Sequence, residues 1–113
     1  MIAWSTPTLV LRVKGADLTD WEVHVTIEQQ KPYGVVTSVT IDDADLTKEL
    51  DGEDTLVTIT PTQAQTGKFS RGVAAVQVNA VSSDGERLPT LEAPISIYRN
   101  LIDHALTYGG GDA

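Results

Sequence analysis

From Trp21 to Glu28 apolar and polar residues alternate without a break: Trp21, Val23, Val25 and Ile27 on one parity, Glu22, His24, Thr26 and Glu28 on the other. Successive side chains of an extended chain point to opposite faces, so the pattern predicts a strand over 21–29 with one dry face and one wet face. The same period recurs along the chain. Leu9, Leu11 and Val13 alternate with Val10, Arg12 and Lys14, which predicts a strand over 8–14, with Pro7 at its start where a missing N–H is tolerated. Val35, Thr37, Val39 and Ile41 share the inward parity of a strand over 35–41, and Val57 and Ile59 that of one over 55–60. In 73–81 the inward set is Ala74, Val76, Val78 and Ala80, small enough for close approach of an opposing sheet. Ile95 and Ile97 carry the inward face of a last strand within 87–99, which Pro89 and Pro94 confine to an edge or a bulge.

Turn chemistry separates these strands. Gly15 to Asp20 is a turn by composition, Lys31-Pro32-Tyr33-Gly34 is a tight hairpin connection, and Ser82-Ser83-Asp84-Gly85 carries an Asp-Gly hairpin signal. The period breaks once, at Thr60-Pro61-Thr62-Gln63. Read as a capping box with Pro at the first helical position, and with Gly67 as the stop, it predicts one helical turn near 61–66. Phe69 follows as a plug for the end of the core. The implied fold is all-β: a two-sheet antiparallel immunoglobulin-like sandwich of six or seven strands over residues 1–100, with 101–113 as a C-terminal tail. In that tail Leu101, Ile102, Leu106 and Tyr108 need an apolar surface to dock on, whereas Gly109-Gly110-Gly111 and the final Asp-Ala are expected to be disordered.

Composition narrows the chemistry. There is no cysteine, which removes disulfides, thiolate catalysis and zinc-thiolate or iron-sulfur sites. Sixteen acidic residues against eight basic ones give a net charge of −8, a sign that repels nucleic acid and anionic membranes. No apolar stretch approaches the roughly 20 residues of a membrane-spanning helix. The opening Met-Ile-Ala-Trp-Ser-Thr-Pro has no basic region and no long apolar run, so no signal peptide is expected.

Seven carboxylates crowd 42–54 (Asp42, Asp43, Asp45, Glu49, Asp51, Glu53 and Asp54) with Lys48 alone against them. The segment reads as a solvated loop with a short edge strand carrying Leu46 and Leu50, its charges discouraging edge pairing. Asp43, Asp45 and Asp51 are the candidate calcium ligands within it. An EF-hand loop begun at Asp43 fails, because it needs Gly where the chain has Lys48 and Glu where it has Asp54. The two histidines, His24 and His104, have no evident ligand partner nearby in sequence, and no nucleophile elbow accompanies the serines, so neither a catalytic site nor a cofactor is expected. Trp4, Tyr33, Tyr98 and Tyr108 are the rings a sugar-binding platform could use, and a carbohydrate-binding or host-surface adhesion module is the alternative functional reading.

The run Asp17-Leu18-Thr19-Asp20-Trp21-Glu22-Val23-His24-Val25 resembles the turn-to-strand motif that opens small β-sandwich domains of phage and prophage tail proteins, including the N-terminal domain of baseplate upper proteins. Three further stretches are similar in order and spacing: the strand 54–60, the helical turn Thr60-Pro61-Thr62-Gln63-Ala64-Gln65 leading to Lys68-Phe69, and the strand through Ala75-Val76-Gln77-Val78 into Asp84-Gly85. The acidic insert at 42–54 and the lack of a long receptor-binding extension depart from that pattern. The resemblance implies a non-enzymatic assembly module made in the bacterial cytoplasm and carried in a virion. It would contact itself, as a homo-oligomer, or another virion protein, without nucleic acid or membrane. Leu101, Ile102, Leu106 and Tyr108 are the expected partner-binding residues.

Overall fold

The structure, a computed structural model, describes residues 1–109 and the backbone of 111 and 112. The alternating segment that opens the sequence reading forms β2 (Glu22–Gln30), and it is preceded by β1 (Leu9–Val13). Val23, Val25 and Ile27 are fully buried, as the two-residue period requires. Gln29 continues that parity into the core and is buried too, its amide exchanging two 2.8 Å hydrogen bonds with the backbone of Ser70. Those two bonds satisfy both ends of an amide that would otherwise be costly to bury.

The remaining strands are β3 (Val36–Ile41), β4 (Leu46–Asp51), β5 (Asp54–Ile59), β6 (Gly72–Val81), β7 (Leu91–Ile97) and the short pair β8 (Leu106–Thr107) and β9 (Gly111–Asp112). One helical turn, α1 (Gln63–Thr66), joins β5 to β6. Two antiparallel sheets result, one ordered β1-β5-β4 and the other β3-β2-β6-β7, with the core between them. The connectivity from β1 to β7 is that of strands B, C, C′, D, E, F and G of an immunoglobulin sandwich. The place beside β1 that strand A fills in such domains holds no strand among the described residues. Residues 1–3 instead run along the end of β7, Ile2 bridging Tyr98 in parallel, with Tyr98 N–H donating to the Met1 carbonyl and Ala3 N–H to that of Tyr98. No helix of the described residues is long and apolar enough to cross a membrane.

Several expectations are corrected. Trp21 precedes β2 and closes a turn by donating its N–H to Leu18 O at 3.0 Å; the indole is half-buried against the core, and Leu18 takes the fully buried place. Val35 is exposed, because it belongs to the Pro32–Gly34 turn, which it closes by accepting from Lys31 N–H at 2.7 Å. The capping box is framed two residues later than expected. Thr62 is the N-cap, its hydroxyl accepting from Gln65 N–H while the Gln65 side chain accepts from Thr62 N–H. Pro61 stands before the cap, buried at the sheet's end. The acidic segment forms the short edge strand expected of it: a 3-10 turn (Asp43–Asp45) leads into β4, which carries Leu46 and Leu50 at the sheet edge and pairs along its whole length with β5. Of the tail residues expected to be disordered, Gly111 and Asp112 pair with Leu106 and Thr107. Residues 110 and 113 lie outside the described residues.

Candidate functional site

α1 sets the C-terminal segment in place. Its reciprocal cap fixes Gln63 at the first turn, and the Gln63 side chain then brackets Leu106: Leu106 N–H donates to Oε1 at 2.9 Å and Nε2 donates to the Leu106 carbonyl at 3.0 Å. Upstream, the Asn100 side chain accepts from Ile102 N–H at 3.1 Å. The backbone of 100–108 is thereby pinned at two points while its apolar side chains face outward. Leu101 is 85% exposed and Tyr108 fully exposed, with Ile102 and Leu106 about half exposed at 47% and 44%. All four expected partner-binding residues are therefore on the surface, on a segment whose backbone is already partly ordered. Sequence reading missed Gln63, whose role depends on a fold that brings residues 43 positions apart together.

The base of α1 is a close-packed joint. Thr66 is buried and donates from its hydroxyl to the Ser5 carbonyl at 2.7 Å. Gly67 lies against the Trp4 ring so tightly that a Cβ there would sit 2.5 Å from ring carbons. Trp4 has a φ of 62° and packs on the core, so it is committed to structure. Of the other rings proposed for a sugar platform, Tyr33 stands on the β2–β3 turn, Tyr98 just after β7 and Tyr108 after β8, all exposed on three separate segments.

The acidic segment is largely tied down by specific partners. Arg12 on β1 reaches across β5 to bond Asp54 and Asp51, each at 2.7 Å. Asp54 also accepts from Gly15 N–H, and this bond, followed by the Arg12 contact, holds its carboxyl below the usual range. Asp43 accepts from Val23 N–H at 2.9 Å and pairs with Lys48 at 2.7 Å. Burial pushes the Asp43 carboxyl upward, but Lys48 and the Val23 N–H outweigh it and leave the carboxyl below its ordinary value. Lys48 also donates to the Trp21 carbonyl, so this ion pair fastens the β3–β4 connection over the start of β2. Asp43, Asp45 and Asp51 are not brought together: among the described residues no three acidic or histidine side chains gather as a metal-binding group.

His24 lies on the outward parity of β2, as expected of a surface imidazole, and is flanked there by two carboxylates. Its Nδ1 lies 2.9 Å from Asp42 and its Nε2 3.1 Å from Glu22. Glu22 shares its parity two residues away, and the Val25↔Ile41 register sets Asp42 opposite, a pairing that becomes visible only in the fold. Both ring nitrogens thus lie within hydrogen-bond reach of carboxylates on the outer face of β2.

Comparison with protein-family models, with curated proteins and with solved structures finds no match to this chain.

Proposed function

We propose that this protein is a non-enzymatic assembly module that works through protein–protein contacts, as a tail- or baseplate-associated component of a phage or prophage virion. The observation that carries the assembly reading is the C-terminal segment. Leu101, Ile102, Leu106 and Tyr108 present apolar surface to water on a backbone held by Gln63 and Asn100. Single exposed apolar residues need no explanation, but four within eight residues form a patch of the kind that marks an interaction surface. Partial ordering of the backbone lowers the entropic cost a partner must overcome. The virion assignment rests on the resemblance carried by 17–25 and the later strands, and it fits a β-sandwich whose sequence has no cysteine.

Deleting residues 101–113 and measuring mass by light scattering tests the assembly reading. The full chain is expected to run above monomer mass and the truncated chain at monomer mass. An unchanged oligomeric state would count against the tail as the contact.

A further inference from the structure

The two sheets are unequal, and the mismatch leaves one flank of the sandwich open. Three strands face four, and β7 extends beyond the cover that β1 provides. Burial along the inward parity of β7 follows this: Ile97 is buried and Ile95 half-buried, whereas Ala93 and Leu91 are exposed. Between the free edge of β1 and the uncovered start of β7 runs a groove of about 430 Å³, lined mainly by apolar side chains that include Val10, Leu11, Val13, Val78, Leu91 and Ala93. β1 pairs with β5 on one side, and no strand of its sheet flanks the other among the described residues, so alternate N–H and C=O groups along that edge are available to an added strand.

We infer that this groove accepts the C-terminal segment of a second copy of the chain as an added strand beside β1, an inference that rests on the assembly reading above. The tail has the pattern such a strand needs. In extended form Ile102, His104, Leu106 and Tyr108 share one parity, which lies over Leu91 and Ala93, and Leu101, Asp103, Ala105 and Thr107 share the other. The outward parity of β1 carries Arg12 and Lys14, two of only eight basic residues in a chain of net charge −8. Arg12 is already engaged by Asp51 and Asp54, so Lys14 is the complementary charge that Asp103, on the outer side of the added strand, meets across the pair. The donor is another copy because the chain's own tail is kept away. Met1 to Ala3 occupy the outer edge of the end of β7, and Gln63 holds Leu106 at α1. Donation needs the two Gln63 bonds and the two-residue β8–β9 pairing to open and the half-buried His104 and Ala105 to leave their places. The contact is heterologous, tail to groove, so copies joined this way form rings or open filaments according to the rotation between them.

The absence of cysteine permits a direct test. A Val10→Cys chain mixed with a Thr107→Cys chain, both on the outward parity of the proposed pair, is expected to form a disulfide-linked heterodimer on mild oxidation, while a Val73→Cys chain, also exposed but on the outer face of the other sheet, does not cross-link to Thr107→Cys. In parallel, Leu91→Asp, on the face the donor strand would cover, should lower self-association by at least about tenfold, since its charge would have to be buried under that strand. Loss of assembly on tail deletion, with no effect of the groove variant and no cross-link formed, overturns the groove as acceptor and leaves the assembly reading standing. A full chain that stays monomeric at every concentration overturns both.

Discussion

Thr55 offers a sharp test of what holds the turn ahead of β2. It is completely buried in β5, and its hydroxyl accepts from Leu18 N–H at 2.9 Å while donating to the Ala16 carbonyl at 2.7 Å. Those bonds fix the 15–20 turn, seat Leu18 in the core and set the direction from which Trp21 enters β2. Thr55→Val keeps the shape and removes both bonds. The Leu18 N–H is then left buried without its acceptor, at a cost of about 1–3 kcal/mol, and the lost bond to Ala16 adds about 1 kcal/mol. A total of about 2–4 kcal/mol corresponds to a fall in Tm of about 10–20 °C for a domain of this size. Thr55→Ser keeps the hydroxyl and loses one buried methyl, which costs about 1 kcal/mol. Thermal and urea unfolding of the three proteins, followed by circular dichroism, should rank wild type above Thr55→Ser and Thr55→Ser above Thr55→Val. If Thr55→Val equals or exceeds Thr55→Ser, the hydroxyl is not what holds the turn and the reasoning fails.

Other consequences follow from the same geometry. Ile27→Ala empties a fully buried site at the centre of β2 and should cost about 2–5 kcal/mol, read from urea midpoints. Gly67→Ala places a methyl against the Trp4 ring and should destabilise by about 1–3 kcal/mol, with Trp4→Ala making the Gly67 substitution nearly harmless in a double-mutant cycle; equal effects in both backgrounds would refute the contact. Because the Asp43 and Asp54 carboxyls sit below their unfolded values, the unfolded chain binds more protons near pH 4. Their contribution is therefore present above the unfolded carboxylate value of about 3.9 and is lost as pH falls through the lower folded values. Urea midpoints should drop on acidification through that window, and Asp43→Asn should lower the midpoint at neutral pH while flattening the drop.

The two-layer architecture was legible because burial on one face of a strand imposes a period of two, and residues 21–29, 73–81 and 55–60 keep that period cleanly. Turn chemistry served equally well at Asp84-Gly85 and at Pro32-Gly34. Local pattern fell short wherever a residue's role is set by something far along the chain. Gln29 and Thr55 are polar residues on buried parities, and only their partners Ser70, Ala16 and Leu18 explain why they are there. The helical turn has two overlapping Thr-x-x-Gln-like starts, and the choice of Thr62 over Thr60 depends on Pro61 and Thr66 packing at the sheet's end. The acidic segment suggested a repelling loop because its cations, Arg12 and Lys48, come from another strand and from the segment's own far side. In the candidate site, the apolar tail residues could be picked out by composition. The groove could not be, since it arises where no strand among the described residues lies beside the free edge of β1.

The account turns on whether the tail is a contact surface, and a concentration series of amide spectra of the isotope-labelled full chain reads this residue by residue. Signals from 101–108 and from β1 and the start of β7 should shift or broaden together as concentration rises, with those of Gln77 and Asn79 on the outer sheet face unchanged. Spectra that do not change with concentration, or that change only on the outer face, would contradict it.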